Sequence, residues 1–139
     1  MIQNQHQYQV TQNKLKNLER GLIELEKNKN SLHPRQYSGR RNSLVDKIAI
    51  LDREIVDYES LTQSKTSIEI ESIQDLPLAL IKVRIARGVT QKELAEKMGV
   101  KEQQVQRDEA NQYNSAGFHR LSAVATALNI KIQKTSIVW

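Results

Sequence analysis

The sequence predicts a mainly α-helical chain in which an antiparallel helical hairpin precedes a group of short helices. Two observations predict this fold class. In the first third of the chain, apolar residues recur at alternating steps of three and four, which is the period of one face of an α-helix. Between residues 76 and 130, proline, glycines and a capping pair divide the chain into shorter helical stretches.

Composition limits the partners and the chemistry of this protein. Its 139 residues include 21 Lys+Arg and 16 Asp+Glu, a net charge of +5 that favours an anionic partner such as nucleic acid. Cysteine is absent, which excludes disulfides, thiolate metal sites and thiol nucleophiles. No run approaches the roughly 20 apolar residues of a membrane span. We therefore expect a cytoplasmic protein without membrane association.

The first predicted helix has a single apolar seam. The seam consists of Tyr8, Thr11, Leu15, Leu18, Leu22, Leu25 and Leu32. We expect the helix to stop at His33-Pro34, because proline lacks an amide donor and disfavours helix in the residue before it. Tyr37-Ser38-Gly39 is then interpreted as a turn.

A second helix with its own seam is predicted to follow this turn. The second seam consists of Leu44, Ile48, Leu51, Ile55 and Tyr58. Two such helices joined by a short break should fold back as an antiparallel hairpin over residues 1–61. Because an isolated hairpin buries too little apolar surface, we expect this coiled-coil-like unit to associate with a second copy or another domain.

Residues 62–75 are predicted to form a linker with a short strand. The segment Thr62–Ser67 is polar, whereas Ile68–Glu71 alternates apolar and charged residues with the period of a strand. The same alternation occurs at Ile130–Gln133, and Ile137–Trp139 is apolar. We expect two short strands that pair with each other and flank the helices at residues 76–130.

The first of these short helices is predicted to begin at Asp75-Leu76-Pro77, since an acid and a proline suit a helix N-terminus. Gly88 ends it at a position that favours a left-handed residue. Thr90 and Glu93 form a capping box that begins the next helix at once. The expected buried side chains of the two helices are Leu80, Val83, Ala86, Leu94, Ala95 and Met98.

A third helix follows the break at Gly99-Val100 and spans Lys101 to about Ala110. Two short helices separated by a glycine-containing turn form a helix-turn-helix. Only Val105 is apolar before Ala110, and polar side chains gather opposite it. Gln suits adenine and Arg suits guanine in the major groove, although a solvated helix face is the plain alternative. The predicted base-reading residues are Gln103, Gln104, Gln106 and Arg107.

The string from Gly88 to Val100 (GVTQKELAEKMGV) closely resembles the phage-repressor (Cro/xenobiotic-response-element) helix-turn-helix family. The resemblance covers residues 76–130 and implies five short helices, the third of which lies in the major groove of DNA. It also implies that Gln91 contacts a DNA phosphate. Finally, it implies a structural ion pair between Arg84 and Glu109, which links the first and third helices.

Two residues depart from the family pattern. Lys101 stands where the family usually has a small hydroxyl residue, so a side-chain cap is lost and a charge that can reach phosphate is gained. We therefore group Lys101 with Gln91 and Lys92 as predicted phosphate contacts. Asp108 stands where the family often has an aromatic residue, and the sequence assigns it no role.

The end of the chain completes the predicted helical domain, residues 76–139. Asn114–Gly117 is expected to cap a last helix, and its buried residues are Leu121, Val124, Ala125 and Leu128. The stretch from Lys101 to Leu121 also resembles regulators encoded beside toxin genes, some of which are antitoxins.

We expect no metal site, no cofactor and no catalytic residue. The three histidines are scattered without ligand-like spacing, and no glycine-rich phosphate loop or Ser/His/Asp arrangement occurs. The histidines are His6, His33 and His119. An enzyme with a DNA-binding appendage would need catalytic groups within residues 1–61, where none is visible.

The sequence thus predicts a sequence-specific regulator of transcription, acting as a repressor, that binds double-stranded DNA as a homodimer. Dimerisation is expected because one recognition helix reads only a few base pairs, and a two-fold protein doubles that number. The alternative is a protein-interaction module, such as the antitoxin of a toxin–antitoxin pair, which binds its toxin partner through the N-terminal hairpin.

Overall fold

A computed structural model describes residues 1–63, 67–133 and 136–139. The chain divides into two compact units, Met1–Leu61 and Thr62–Trp139. Six α-helices and two short 3-10 turns make up the secondary structure of the described residues, so the mainly α fold class is confirmed. Within the same residues, no helix has the length and apolar character needed to cross a membrane.

The first unit is a hairpin of two long helices, α1 (Gln5–Lys27) and α2 (Pro34–Gln63), with a 3-10 turn at Lys29–Ser31 between them. The predicted seam residues are buried or half-buried, but α1 ends at Lys27 and not at His33-Pro34, so Leu32 lies after the 3-10 turn. Tyr8 of α1 stacks on Tyr58 of α2 with ring centroids 5.0 Å apart. This contact places the start of α1 beside the end of α2, which confirms the antiparallel hairpin.

Polar contacts at both ends of the hairpin fix the register of its helices. At one end the amino group of Met1 lies 3.1 Å from the carboxylate of Glu54. At the other end the Tyr37 hydroxyl donates to Glu26 at 2.7 Å, and Arg41 lies 3.5 Å from the same carboxylate. The hydrogen bond to Glu26 raises the pKa of Tyr37 above its ordinary value.

The predicted turn at Tyr37–Gly39 is wrong, because these residues lie inside α2. Pro34 is the first residue of that helix, where its missing amide donor costs no hydrogen bond and its fixed φ suits the helix. Tyr37 is 8% exposed, so it contributes to the seam of the hairpin. The proline therefore marks the beginning of a helix instead of a break followed by a turn.

The second unit consists of a 3-10 turn at Ile73–Asp75 and the helices α3 (Leu76–Ala86), α4 (Gln91–Met98), α5 (Glu102–Ala110) and α6 (Phe118–Ala127). The resemblance implied five short helices, and this unit has four α-helices and one 3-10 turn among its described residues. Its core side chains are at most 3% exposed. They are Leu80, Ile81, Ile85, Leu94, Ala95, Val105, Tyr113, Val124 and Leu128.

The expected flanking strands are absent from the described residues. Neither Ile68–Glu71 nor Ile130–Gln133 is extended in a ladder, and Ile137–Trp139 is exposed without regular structure. The Ile130 amide instead donates to the Ala125 carbonyl at 2.9 Å and so closes the end of α6. An alternation of only four residues predicts a strand weakly, and here the hydrogen bond at the end of α6 determines the local conformation instead. Residues 64–66 of the predicted linker lie outside the described residues, and Gln63 still belongs to α2.

Gly39→Ala tests the helical assignment of this segment. Apart from the neighbouring backbone of α2, a Cβ at Gly39 would meet no atom within 4 Å, and alanine is the better helix former. We expect the substitution to raise the free energy of unfolding by about 0.5–1 kcal/mol. Gly99→Ala is the control of opposite sign, since Gly99 has a φ of 68° and a side chain there adds strain. Chemical denaturation of both variants measures the effect, and destabilisation by Gly39→Ala would favour the turn.

Candidate nucleic-acid interface

The start of α4 is fixed by a reciprocal cap. The Thr90 hydroxyl accepts from the Glu93 amide at 3.0 Å, and the Glu93 carboxylate accepts from the Thr90 amide at 2.7 Å. This confirms the predicted capping box. The hydrogen bond from the Thr90 amide lowers the pKa of Glu93, which keeps its negative charge at the positive end of the helix. Gln91 and Lys92, the first two residues of α4, therefore stand on a well-defined turn.

A tight turn joins α4 to α5. Gly99 ends α4 in the left-handed conformation, and the Val100 amide donates to the Ala95 carbonyl at 3.0 Å. Lys101 precedes the first residue of α5 and provides no side-chain cap, as the sequence indicated. Because only three residues separate the two helices, the position of α4 sets the position of α5.

The outer face of α5 is polar and accessible. Val105 is 1% exposed, whereas Gln103, Gln106 and Arg107 are exposed. Within the described part of the chain, the side chains of Gln103 and Arg107 make no hydrogen bond or ion pair. Gln106 donates through Nε2 to Glu102 at 3.1 Å along the same helix.

A buried ion pair joins α3 to α5. Arg84 donates through Nε to Glu109 Oε1 at 2.5 Å and through Nη2 to Oε2 at 2.8 Å. The two side chains are 2% and 1% exposed. Arg84 also donates through Nη1 to the Val89 carbonyl at 2.8 Å, and Gln91 donates through Nε2 to Glu109 at 2.7 Å. Both charges are thus paired and further hydrogen-bonded, as burial requires.

These helices coincide with a known family pattern. A family model described as helix-turn-helix matches residues 80–134, a span that begins inside α3 and contains α4, α5 and α6. Residues 80–134 form a helix-turn-helix domain of the phage-repressor type. The domain therefore belongs with DNA-binding regulators in general. No curated protein matches the chain, and no solved structure does.

The predicted phosphate contacts lie at the N-terminal ends of two helices, Gln91 and Lys92 at the start of α4 and Lys101 just before α5. Lys92 and Lys101 are exposed, one in the first turn of α4 and the other just before α5. Gln91 is half-buried, and one amide hydrogen is already engaged by Glu109. Its second amide hydrogen and its carbonyl oxygen have no hydrogen-bond partner in the residues that the structure describes. Among the described residues, no group of three or more metal-binding side chains occurs.

Sequence reasoning missed a second polar cluster on α5, centred on Asp108. Its carboxylate is 11% exposed and accepts from Gln104 Nε2 at 2.8 Å and from Arg120 Nη1 at 3.0 Å. Asp108 therefore links α5 to α6, and Gln104 is half-buried against it. A signal was available, because Asp108 follows Val105 by three residues and lies about 60° from it around the helix.

The loop after α5 lies beside this cluster. It contains two non-glycine residues in the left-handed region, Gln112 (φ 53°) and Tyr113 (φ 58°). Tyr113 is 3% exposed, and its amide donates to the Asp108 carbonyl at 2.6 Å. Burial raises the pKa of the Tyr113 hydroxyl. The predicted cap at Asn114–Gly117 is wrong in detail: Gly117 precedes α6 and offers no side-chain hydrogen bond.

Glu109→Ala is expected to destabilise the second unit strongly. Removal of this carboxylate leaves the Arg84 guanidinium buried without its counter-charge, at a cost of about 3–5 kcal/mol. Glu96→Ala is the matched control, because Glu96 is an exposed glutamate of α4 in the same unit. Urea denaturation measures both variants, and equal stability of Glu109→Ala and wild type would refute the structural role of the pair.

Proposed function

We propose that the protein is a sequence-specific regulator of transcription, acting as a repressor, that inserts α5 into the major groove of double-stranded DNA. The observation that supports this most is the outer face of α5. Gln103 and Arg107 project from it without partners among the described residues, opposite the buried Val105. Amides and guanidinium groups match the donor and acceptor pattern of base edges in that groove.

The charge distribution supports the same surface. Residues 82–107 contain seven Lys+Arg and three Asp+Glu, whereas residues 1–61 contain ten and eight. Binding to DNA gains from counterion release where basic residues outnumber acidic ones. The proposal therefore assigns DNA contact to the helix-turn-helix domain, with Gln103, Gln104, Gln106 and Arg107 at the bases and Gln91, Lys92 and Lys101 at the phosphates.

The hairpin is proposed to provide the association surface of a homodimer, which a palindromic site requires. An open groove of about 370 Å³ on the hairpin is lined by Lys14, Asn17, Leu18, Lys47, Ile50 and Leu51. Ile50 is 61% exposed at this groove. Covering such apolar surface contributes about 25 cal/mol per Å², which gives association a driving force.

The same groove favours a second candidate, a protein-interaction module such as an antitoxin that binds its toxin through the hairpin. In that case DNA contact is secondary. Binding of the chain to the promoter region of its own gene, titrated against salt, separates the two candidates. Tight and strongly salt-dependent binding supports the regulator, whereas its absence favours the interaction module.

Arg107→Ala and Gln103→Ala are expected to change the DNA sequence preference without loss of folding. Each lost base contact should reduce discrimination by about 1–3 kcal/mol. Selection from a random DNA library, with thermal unfolding as the control for folding, measures the effect. If both variants select the same motif as wild type, α5 does not read the bases.

Neutralising Lys101 or Lys92 is expected to weaken binding to all DNA sequences alike. Each substitution to alanine should reduce the slope of log K against log salt concentration by about one, since one phosphate contact is lost. Filter binding or fluorescence anisotropy at several salt concentrations measures the slope. A changed base preference with an unaltered slope would place these lysines at the bases instead.

Ile50→Glu is expected to change the oligomeric state while leaving the base preference of the chain intact. A charge in the apolar groove must be desolvated if a second copy covers it. Ala49→Glu is the matched control, because it places the same charge at the neighbouring exposed position of α2. Sedimentation of the full chain measures association. The hairpin would not be the association surface if wild type and Ile50→Glu sedimented alike.

A further inference from the structure

The carboxylate of Asp108 determines which end of the Gln104 amide faces away from the core. An ionised carboxylate can only accept hydrogen bonds, so the group of Gln104 that approaches it at 2.8 Å must be the nitrogen, Nε2. Arg120 occupies the other oxygen of Asp108 at 3.0 Å and keeps the carboxylate in place. The planar amide then directs its carbonyl oxygen, Oε1, away from Asp108.

We propose that Asp108 is a positioning residue for base recognition, which fixes Gln104 as a hydrogen-bond acceptor toward DNA. This inference rests on the proposed function, in which α5 lies in the major groove. Every base pair presents one amino group and one keto oxygen in that groove, on opposite strands. The Gln104 carbonyl oxygen therefore needs an amino group opposite it. It selects base pairs that place adenine or cytosine on the strand that Gln104 contacts.

A second glutamine on α5 provides an internal comparison. Gln106 donates to Glu102 at 3.1 Å with the same spacing of four residues. Both of these side chains are exposed, so water competes for their hydrogen bond and the amide can turn over. Asp108 differs because its carboxylate is 11% exposed and is held by Arg120. The structure thus fixes Gln104 but not Gln106.

Asp108→Asn should reverse the Gln104 amide. Asparagine has one acceptor oxygen, and the charged Arg120 guanidinium is the stronger donor for it. The asparagine Nδ2 then faces Gln104, which must turn its carbonyl oxygen inward and its Nε2 toward the DNA. A donor at that place favours a keto oxygen, as in guanine, where the wild type favours an amino group.

The test is DNA selection from a random library with the full chain, comparing wild type, Gln104→Ala, Asp108→Asn and Glu102→Gln. Gln104→Ala identifies the base pair that Gln104 reads, because preference there should fall about tenfold. At that position, Asp108→Asn should prefer a keto oxygen where the wild type prefers an amino group. An A·T pair would, for example, be replaced by G·C. Glu102→Gln removes the same charge from the same helix and should leave the motif unchanged.

The outcomes separate the two proposals. If the wild type selects no motif, the proposed function fails and the inference with it. If the wild type selects a motif but Gln104→Ala relaxes no position, or Asp108→Asn leaves the amino and keto groups on their original strands, only the inference is overturned. In the double variant Gln104→Ala, Asp108→Asn, the exchange should vanish, and its persistence would mean that Asp108 acts without Gln104. Should Asp108→Asn not fold, Gln104→Glu replaces it. A carboxylate can only accept, so the wild-type preference for an amino group should persist at that pair, and its loss would overturn the inference.

Discussion

The helix-turn-helix domain depends on one buried ion pair, Arg84 with Glu109. Burying a guanidinium and a carboxylate away from water costs several kcal/mol of desolvation. Their attraction and their hydrogen bonds must offset that cost. Here the pair is bidentate, and the Val89 carbonyl and the Gln91 amide add one hydrogen bond to each partner. These four residues come from α3, from the loop after it, and from the beginning of α4 and the end of α5. Their hydrogen bonds therefore constrain where α5 lies relative to α3 and to the beginning of α4.

Local chemistry made much of this domain predictable from the sequence. Thr90 and Glu93 form a cap that needs only residues three apart, and Gly99 adopts the left-handed conformation that ends α4. Burial of Val105, the apolar residue in the middle of α5, followed from helical periodicity. Each of these features depends on neighbours along the chain, and for that reason the boundaries of α4 and α5 were close to those expected. The Arg84–Glu109 pair spans the domain, and it came only from the resemblance to a family.

Other features depended on contacts that local patterns do not contain. The residues Tyr37–Gly39 have turn chemistry, yet the Tyr37 ring packs in the hairpin seam and its hydroxyl meets Glu26, which favours helix. The alternating residues Ile130–Gln133 lack a strand partner among the described residues. Asp108 received no role because one partner, Arg120, lies on α6 and the other, Gln104, was assigned to the bases. Tyr37 and Asp108 are therefore decided by tertiary contacts. Ile130 is decided by a hydrogen bond to Ala125 that alternation of residue type does not indicate.

The two consecutive acids of α5 also bear on the proposal that this formally acidic helix faces DNA. From Lys101 to Ala110 the sequence has three acidic and two basic residues, a net charge of −1. Asp108 and Glu109, however, point to different parts of the interior, and each accepts from one arginine and one glutamine. Arg120 and Arg84 compensate their charges away from the outer face. Only Glu102 remains exposed there against Lys101 and Arg107, which leaves a net charge of +1 toward solvent. The buried acids thus position the helix without imposing their charge on the surface that would meet phosphate.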